Sequence, residues 1–408
     1  MTGFIDVSGT AATGYGFTAN PSKYFIPSTP QLPSTFDLAF TDPNYKFPQV
    51  WKTNIAIDQK LPLGLVGSIE YLYNKNINAV HYYNANLDAP VGKFSGVDQR
   101  DLYARTDAGV RVNDNVSMGA VLADNDDTWY NALSVKLEKP YSKGFFGSIA
   151  YTKSNAKDFM SAGSIASGTW QSVRAINGNN SPLLSNSDFV VPERAVGLVG
   201  YRIEYGKKHG AATSVTIGYV GQKNNSFSYY VAGDLNGDRV NNNELIYVPK
   251  VWNEVKFAPL VVGTKTYNEA EQQAAFWNYV NQDDYLKTRN GKYAERNASF
   301  LPMLHRFDLS VVQDFFVTVK GERNTLQLRF DILNFGNMLD NKWGVSQRAT
   351  NPAILTYSSV VNNEPVYKFA TQKLADGSTV LLKDTYSKNS SVFDVWTAQF
   401  GIRYIFGR

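Results

Sequence analysis

NTLQLRFDILNF, residues 324–335, places Leu326, Leu328, Phe330 and Ile332 at alternate positions with Gln327, Arg329 and Asp331 between them. Successive side chains of an extended chain point to opposite faces, so this order makes one row oily and the other charged. The preceding segment, 305–319, has the same period: Phe307, Leu309, Val311, Phe315 and Val317 fall on one side, and Arg306, Asp308, Ser310, Asp314 and Thr318 on the other. Lys320, Gly321, Glu322 and Arg323 form a short polar turn between the two segments, which predicts a β-hairpin.

The unit recurs along the chain. Segment 48–60 sets Trp51, Ile55 and Ile57 against Lys52, Asn54 and Asp58, then turns through Lys60–Gly64 into 64–74, with Leu65, Ile69, Tyr71 and Tyr73. Segments 103–112 and 116–123 are expected to pair around Asn113, Asp114 and Asn115. Segment 129–138 turns through KPYSKG into 144–153, and 195–206 through Gly206, Lys207, Lys208, His209 and Gly210 into 211–222. The chain closes with 394–406, where Trp396, Phe400, Ile402, Tyr404 and Phe406 alternate with Thr397, Gln399, Gly401 and Arg403. This reading gives eleven strands, five hairpins and a final strand.

Loop length alternates as well. Turns of about 3 to 6 residues close one end, whereas 75–102, 154–194, 223–304 and 336–393 connect the other, and only 124–128 breaks the rule. Short turns on one side and long loops on the other are the plan of an outer-membrane barrel. An odd number of strands places residue 1 and the Pro-rich region 20–48 outside the cell when the last strand ends in the periplasm. A complete bacterial barrel has an even number, so the expectation is the C-terminal part of a longer barrel.

Composition narrows the classes. The 408 residues contain no cysteine, which removes disulfides, thiolate metal sites and cysteine nucleophiles, and 25 Tyr, 24 Phe and 7 Trp exclude a disordered chain. A net charge of +4 without basic blocks speaks against a nucleic-acid partner. No apolar run approaches the length of a spanning helix, and the opening MTGFIDVSGT has no charged-then-apolar plan of a signal peptide. Two architectures remain: a transmembrane barrel, or a soluble or surface-anchored β-sandwich or propeller that binds glycans. In the second, the oily rows would meet each other in a core.

Several long strings carry a family likeness: YKFPQVWKTNIAIDQKLPLGL (45–65), KPYSKGFFGSIAYTKSNAKD (139–158), GDLNGDRVNNNELIYVP (233–249), DDYLKTRNGKYAERN (283–297) and RFDLSVVQDFF with RNTLQLRFDILNFGNMLDNKWG (within 306–344). Over most of 40–406 the chain resembles the C-terminal barrel region of Oar-like TonB-dependent receptors, kin of the SusC-like transporters. The resemblance implies a 22-stranded antiparallel barrel in the outer membrane of a Gram-negative bacterium, of which residues 1–408 form one partial barrel domain without the plug and N-terminal strands. It also implies import of a large nutrient such as an oligosaccharide, peptide or chelate. The implied partners are outer-membrane lipid, the plug and TonB complex acting through the missing region, the barrel-assembly machinery and a surface lipoprotein.

Among candidate sites, 234–244 (DLNGDRVNNNE) spaces Asp234, Asn236 and Asp238 as oxygen ligands converge on Ca2+, with Asn242 and Glu244 following. Arg239 stands where an EF-hand has its turn glycine, and Glu244 comes one position early; the alternative is an Asn/Asp-rich turn in a solvated loop. The final strand has the alternating aromatics of an assembly signal, although Gly407 and Arg408 follow Phe406. Fifteen charges, Lys52, Asp58, Arg105, Asp107, Arg111, Lys136, Glu138, Arg202, Glu204, Arg306, Asp308, Asp314, Arg329, Asp331 and Arg403, are expected to line the lumen. Loop aromatics Tyr82, Tyr83, Trp170, Tyr229, Tyr230 and Trp277 either stack on a ligand or pack the loops together. His81, His209 and His305 lie far apart, and the adjacent Asp283 and Asp284 match no hydrolytic pattern, so no enzyme activity is expected.

Overall fold

The two-residue alternation builds nine long antiparallel strands in one sheet, paired strictly in chain order. In the computed structural model these are β1 (Gln49–Leu61), β2 (Leu65–Ile77), β3 (Trp129–Ser142), β4 (Phe145–Asp158), β5 (Glu193–Tyr205), β6 (His209–Lys223), β7 (Met303–Val319), β8 (Glu322–Leu333) and β9 (Thr397–Ile405). The structure describes residues 35–406 apart from 162, 164, 207, 208 and 224 and the side chain of His209. Gly407 and Arg408, part of the Gly206–Gly210 turn and residues 20–34 of the Pro-rich region therefore lie outside the described residues.

Register aligns the oily rows across the whole sheet. Phe145, Tyr201, Val215, Val311, Phe330 and Phe400 form one continuous rung, and Val199, Ile217, Leu309 and Ile332 form part of the next. Among the described residues no other sheet covers these rows: Ile57 is 67% exposed and Phe400 62%. A soluble sandwich or propeller is thereby overturned, because either would bury this face against a second layer. The opposite face is polar and internally bonded. Arg202 of β5 donates to Asp314 of β7 at 2.8 Å, Gln327 of β8 donates to the other oxygen of Asp314 at 2.9 Å, and Arg329 pairs with Asp331 at 2.6 Å.

The hairpin ends have the turn chemistry that the strand twist requires. Lys143–Gly144 and Lys320–Gly321 are two-residue turns with positive φ at both positions (50° and 87°; 54° and 89°), the geometry that matches right-handed strand twist. At Gly144 a Cβ would also collide with the Arg202 carbonyl oxygen, so only glycine fits.

The expected strand pair 103–112/116–123 is corrected. Residues 103–112 contain one short helical turn, Asp107–Val110, capped by Thr106, whose side chain accepts from Gly109 N–H. Val116–Asn125 is a strand, but it joins a separate three-stranded sheet, parallel to Phe36–Thr41 and antiparallel to Ala79–Asn84. The sheet therefore has nine long strands instead of eleven, and Arg105, Asp107 and Arg111 belong to a loop, not to the wall. With that pair removed, 78–128 becomes one long connection, and the apparent exception at 124–128 disappears. The count stays odd, so β1 still starts at the long-loop end. Among the described residues β1 and β9 each pair on one side only, and the sheet does not close on itself.

The dry core lies in the long loops, outside the sheet. Phe94, Tyr229, Val231, Ile246, Phe276, Tyr279, Ile354 and Phe369 pack together, buried by the helix Glu269–Gln282 and the short strands Leu355–Val361 and Glu364–Phe369. Asn268 and Glu271 close a reciprocal capping box at the start of that helix, fixing it to the loop before it. The long connections thus form a folded cap at one end of the wall.

The two faces should respond oppositely to charge. Ile217, on the exposed oily face, changed to Arg should lower the free energy of unfolding from lipid vesicles by about 2–4 kcal/mol, whereas the same change at its polar-face neighbour Thr216 should cost less than about 1 kcal/mol. Equal losses at the two positions would contradict the assignment of faces.

Candidate metal centre

Segment 234–244 leaves the short strand Val231–Ala232 and folds back on itself. Asn242 N–H donates to Gly233 O at 2.8 Å, and Gly233 N–H donates to Asn242 Oδ1 at 3.0 Å. Within the fold-back the short polar side chains bond nearby backbone, the usual habit of Asp and Asn. Asp234 Oδ1 accepts from Gly237 N–H at 2.8 Å, Asn236 Oδ1 from Asp238 N–H at 3.0 Å, and Asp238 Oδ1 from Val240 N–H at 2.9 Å. Gly237 has φ +85°, and a Cβ there would strike the Arg105 side chain. Arg239 adopts φ +68° without being glycine, at the position where the sequence pattern lacked one.

The turn brings the three acids together. One carboxylate oxygen each from Asp234, Asp238 and Glu244 lie within 4.8 Å of one another. Glu244 is 0% exposed; its Oε1 accepts from Asn236 N–H at 3.3 Å, while Oε2 has no hydrogen-bond partner. Asn243, also fully buried, directs its amide nitrogen to Asp238 Oδ2 and Asn179 Oδ1, both at 3.1 Å, and leaves its own Oδ1 unpartnered. Burial pushes the Asp238 carboxyl up to about 6, and the adjacent Asp234 carboxylate adds to the rise. Burial likewise raises Glu244 well above the carboxylate range, with Asp238 adding to it and Arg100 opposing.

Asp234, Asp238 and Glu244 converge, and Asn236 joins them by donating to Asp238 Oδ2 at 3.3 Å. Asn242 does not: it is exposed, and its side-chain oxygen closes the fold-back on Gly233. Asn243 takes the inward place. Sequence reading also missed Asn179 and Tyr103, from two other loops. Their only local signal is an Asn-rich or aromatic loop, and contact with 234–244 arises from long-range pairing such as Tyr103 N–H to Asn236 O at 2.8 Å and Ala175 N–H to Asn243 O at 2.8 Å.

A buried ion pair supports the cluster from behind. Arg100 Nε donates to Asp98 Oδ1 at 2.9 Å and its Nη2 to Leu245 O at 2.8 Å; Tyr293 and Tyr367 hydroxyls complete the shell of Asp98 at 2.9 and 3.1 Å. Asp98 thus engages Arg100, whose charge opposes that of Glu244. Arg105 spends its guanidinium on the carbonyls of Asp234 and Leu235, and Arg239 on Asp107 at 2.6 Å. Among the described residues, no ion pair reaches Asp234, Asp238 or Glu244. An all-oxygen set of this kind suits a hard divalent cation.

The other candidates separate. Trp170 and Tyr229 are buried inside the cap, Trp170 donating to Asn180 at 2.8 Å, so loop packing accounts for both, whereas Tyr82, Tyr83, Tyr230 and Trp277 are half-buried. Asp283 accepts from the Tyr229 hydroxyl and from the N–H groups of Tyr285 and Leu286, whereas the exposed Asp284 pairs with Lys287; the two act apart. His305 stacks on Tyr219 near the strand end. A recess of about 320 Å³ between loops is lined by Arg174, Asp188, Tyr230, Arg296 and Asn297, with Arg174 over the Tyr230 ring at 4.5 Å.

A family model described as an outer membrane beta barrel domain matches residues 3–349, a span that includes β1 to β8. No curated protein and no solved structure matches the chain.

Arg100→Met should free the carboxylate of Asp98 in a dry site and remove a charge that opposes that of Glu244. A loss of about 3–5 kcal/mol is expected, read as lost hydrogen-exchange protection confined to the cap. Unchanged protection there would show that the pair is not structural.

Proposed function

The chain belongs to the outer membrane beta barrel domain family and resides in the outer membrane, and from that premise we propose that it forms the wall and cap of a TonB-dependent receptor that binds and imports a large nutrient. The observation that carries this reading is the combination of an unclosed lipid-facing sheet with a folded cap. Two unpaired strand edges cannot stand in hydrocarbon, where each unmet backbone group costs several kcal/mol, so β1 and β9 need further strands as partners. A 22-stranded barrel that includes the described wall supplies them. A lumen of that size needs a plug, and the charged inner wall offers groups such as Arg202, Glu204 and Arg403 for the plug to meet.

The cap favours capture over passive diffusion. A porin loop need only narrow a channel, whereas these loops carry their own core and a recess with Arg174, Arg296 and Tyr230 converging on it. Oligosaccharides, peptides and chelates all present the hydroxyl, amide or carboxylate groups that such a lining can bind. Ligand capture by the cap followed by TonB-driven plug movement is the mechanism proposed.

Disruption of the gene in its native host should abolish uptake of one of these nutrient classes, and collapsing the proton gradient should abolish the same uptake in the intact strain. Uptake that persists in both cases would leave a structural or adhesive barrel as the better description. Binding without energy dependence would reject the TonB-coupled part.

A further inference from the structure

The three-acid cluster presents an unresolved electrostatic problem. Two buried carboxyls and a half-buried third lie together, with no side-chain cation paired to any of them among the described residues. An isolated carboxylate in such a place costs far more than a surface one, and groups of like charge raise the cost further. Glu244 Oε2 and Asn243 Oδ1, both on fully buried side chains, are acceptors that no donor meets. A hard divalent cation both meets the lone Glu244 oxygen and offsets the clustered charge.

We propose that Asp234, Asp238 and Glu244 bind a calcium ion, and that this ion staples three separate loops of the cap into one body. The amides of Asn236 and Asn243 direct nitrogen toward Asp238 Oδ2 at 3.3 and 3.1 Å. Those amides are held in this orientation, Asn236 by the Asp238 N–H on its oxygen and Asn243 by Asn179, and both steady Asp238 Oδ2 as donors. Three carboxylates, each with bidentate capacity, supply most of the six to eight oxygen ligands that Ca2+ takes, and the donors are all hard.

The stapling follows from where the donors sit. Loop 224–302 supplies the acids. Loop 159–192 supplies Asn179, bonded to Asn243, and Gly178, whose missing side chain leaves room beside Asp238 Oδ2. Loop 78–128 supplies Tyr103 and Arg105, which hold the backbone of Asn236, Asp234 and Leu235. Neutralising the acids therefore fixes the contact point of three loops. This inference needs only the cap geometry and holds whether or not the barrel transports anything.

The test uses the full chain in detergent micelles after chelator treatment. Calcium should bind saturably by calorimetry, and Tb3+ should emit on excitation of tyrosine, since Tyr103 stands against the site, with Ca2+ quenching that emission by competition. Asp238→Asn and Glu244→Gln should each weaken Ca2+ binding at least about tenfold, whereas Asn241→Ala, at an exposed neighbouring residue, should change it less than about twofold. Calcium should also slow proteolysis of all three loops together in the wild-type chain, an effect that does not depend on any variant folding. Absence of saturable binding at millimolar Ca2+ would overturn the proposal in favour of protonated carboxyls. Equal loss in the Asn241 variant, or protection of loop 224–302 alone, would overturn the ligand set or the stapling.

Discussion

Hydrocarbon accepts no unpaired backbone polar group, and the rest of this structure follows from that. A strand can cross the membrane only if every N–H and C=O is bonded to a neighbouring strand, so the nine strands pair in unbroken chain order with nearly continuous register. The same requirement sets the side-chain pattern. One face must be as apolar as lipid, and the charged alternates must point to the enclosed side, where Arg202, Asp314 and Gln327 satisfy one another. What would be an aggregation hazard in water, a sheet with a fully exposed oily face, is the lipid-contact surface of a membrane wall.

Because the sheet spends its apolar residues on lipid, it has none to hold the loops. The cap is therefore stabilised by its own means: an aromatic core around Tyr229, Phe276 and Phe369, a capped helix, and a buried polar seam running from Asp98 and Arg100 to Glu244. These are two folding problems in one chain, solved with different solvents. The polar seam is the more demanding part, since every buried charge in it needs a partner of matched geometry.

Nearly all of the wall was legible from local pattern, because period-two alternation and short glycine turns act within a hairpin. The predicted pairs 48–60/64–74, 129–138/144–153, 195–206/211–222 and 305–319/324–335 all pair as read. The pair that was wrong shows the limit. Val116–Asn125 has a genuine strand signal, with Met118, Ala120 and Val121 buried, but alternation does not say which partner a strand takes, and it pairs with Phe36–Thr41 and Ala79–Asn84 in the cap. Segment 103–112 lost its strand character to Thr106, whose side chain caps a helical turn more readily than it extends a ladder. At the candidate centre, the Asp234, Asn236 and Asp238 spacing was visible, but the choice of Asn243 over Asn242 depended on which side of the fold-back each faces.

The sequence by itself determined the chemistry of each face, the hairpin turns and the alternation of short and long connections, since these rest on covalent spacing and on φ preferences that a few neighbouring residues decide. Tertiary structure alone decided that the sheet has nine long strands, that the cap owns the dry core, and that Asn179, Tyr103 and Glu244 meet around one point. Those outcomes depend on pairing between segments scores of residues apart, and a one-dimensional period contains no information about which distant backbone will satisfy a given hydrogen-bonding edge.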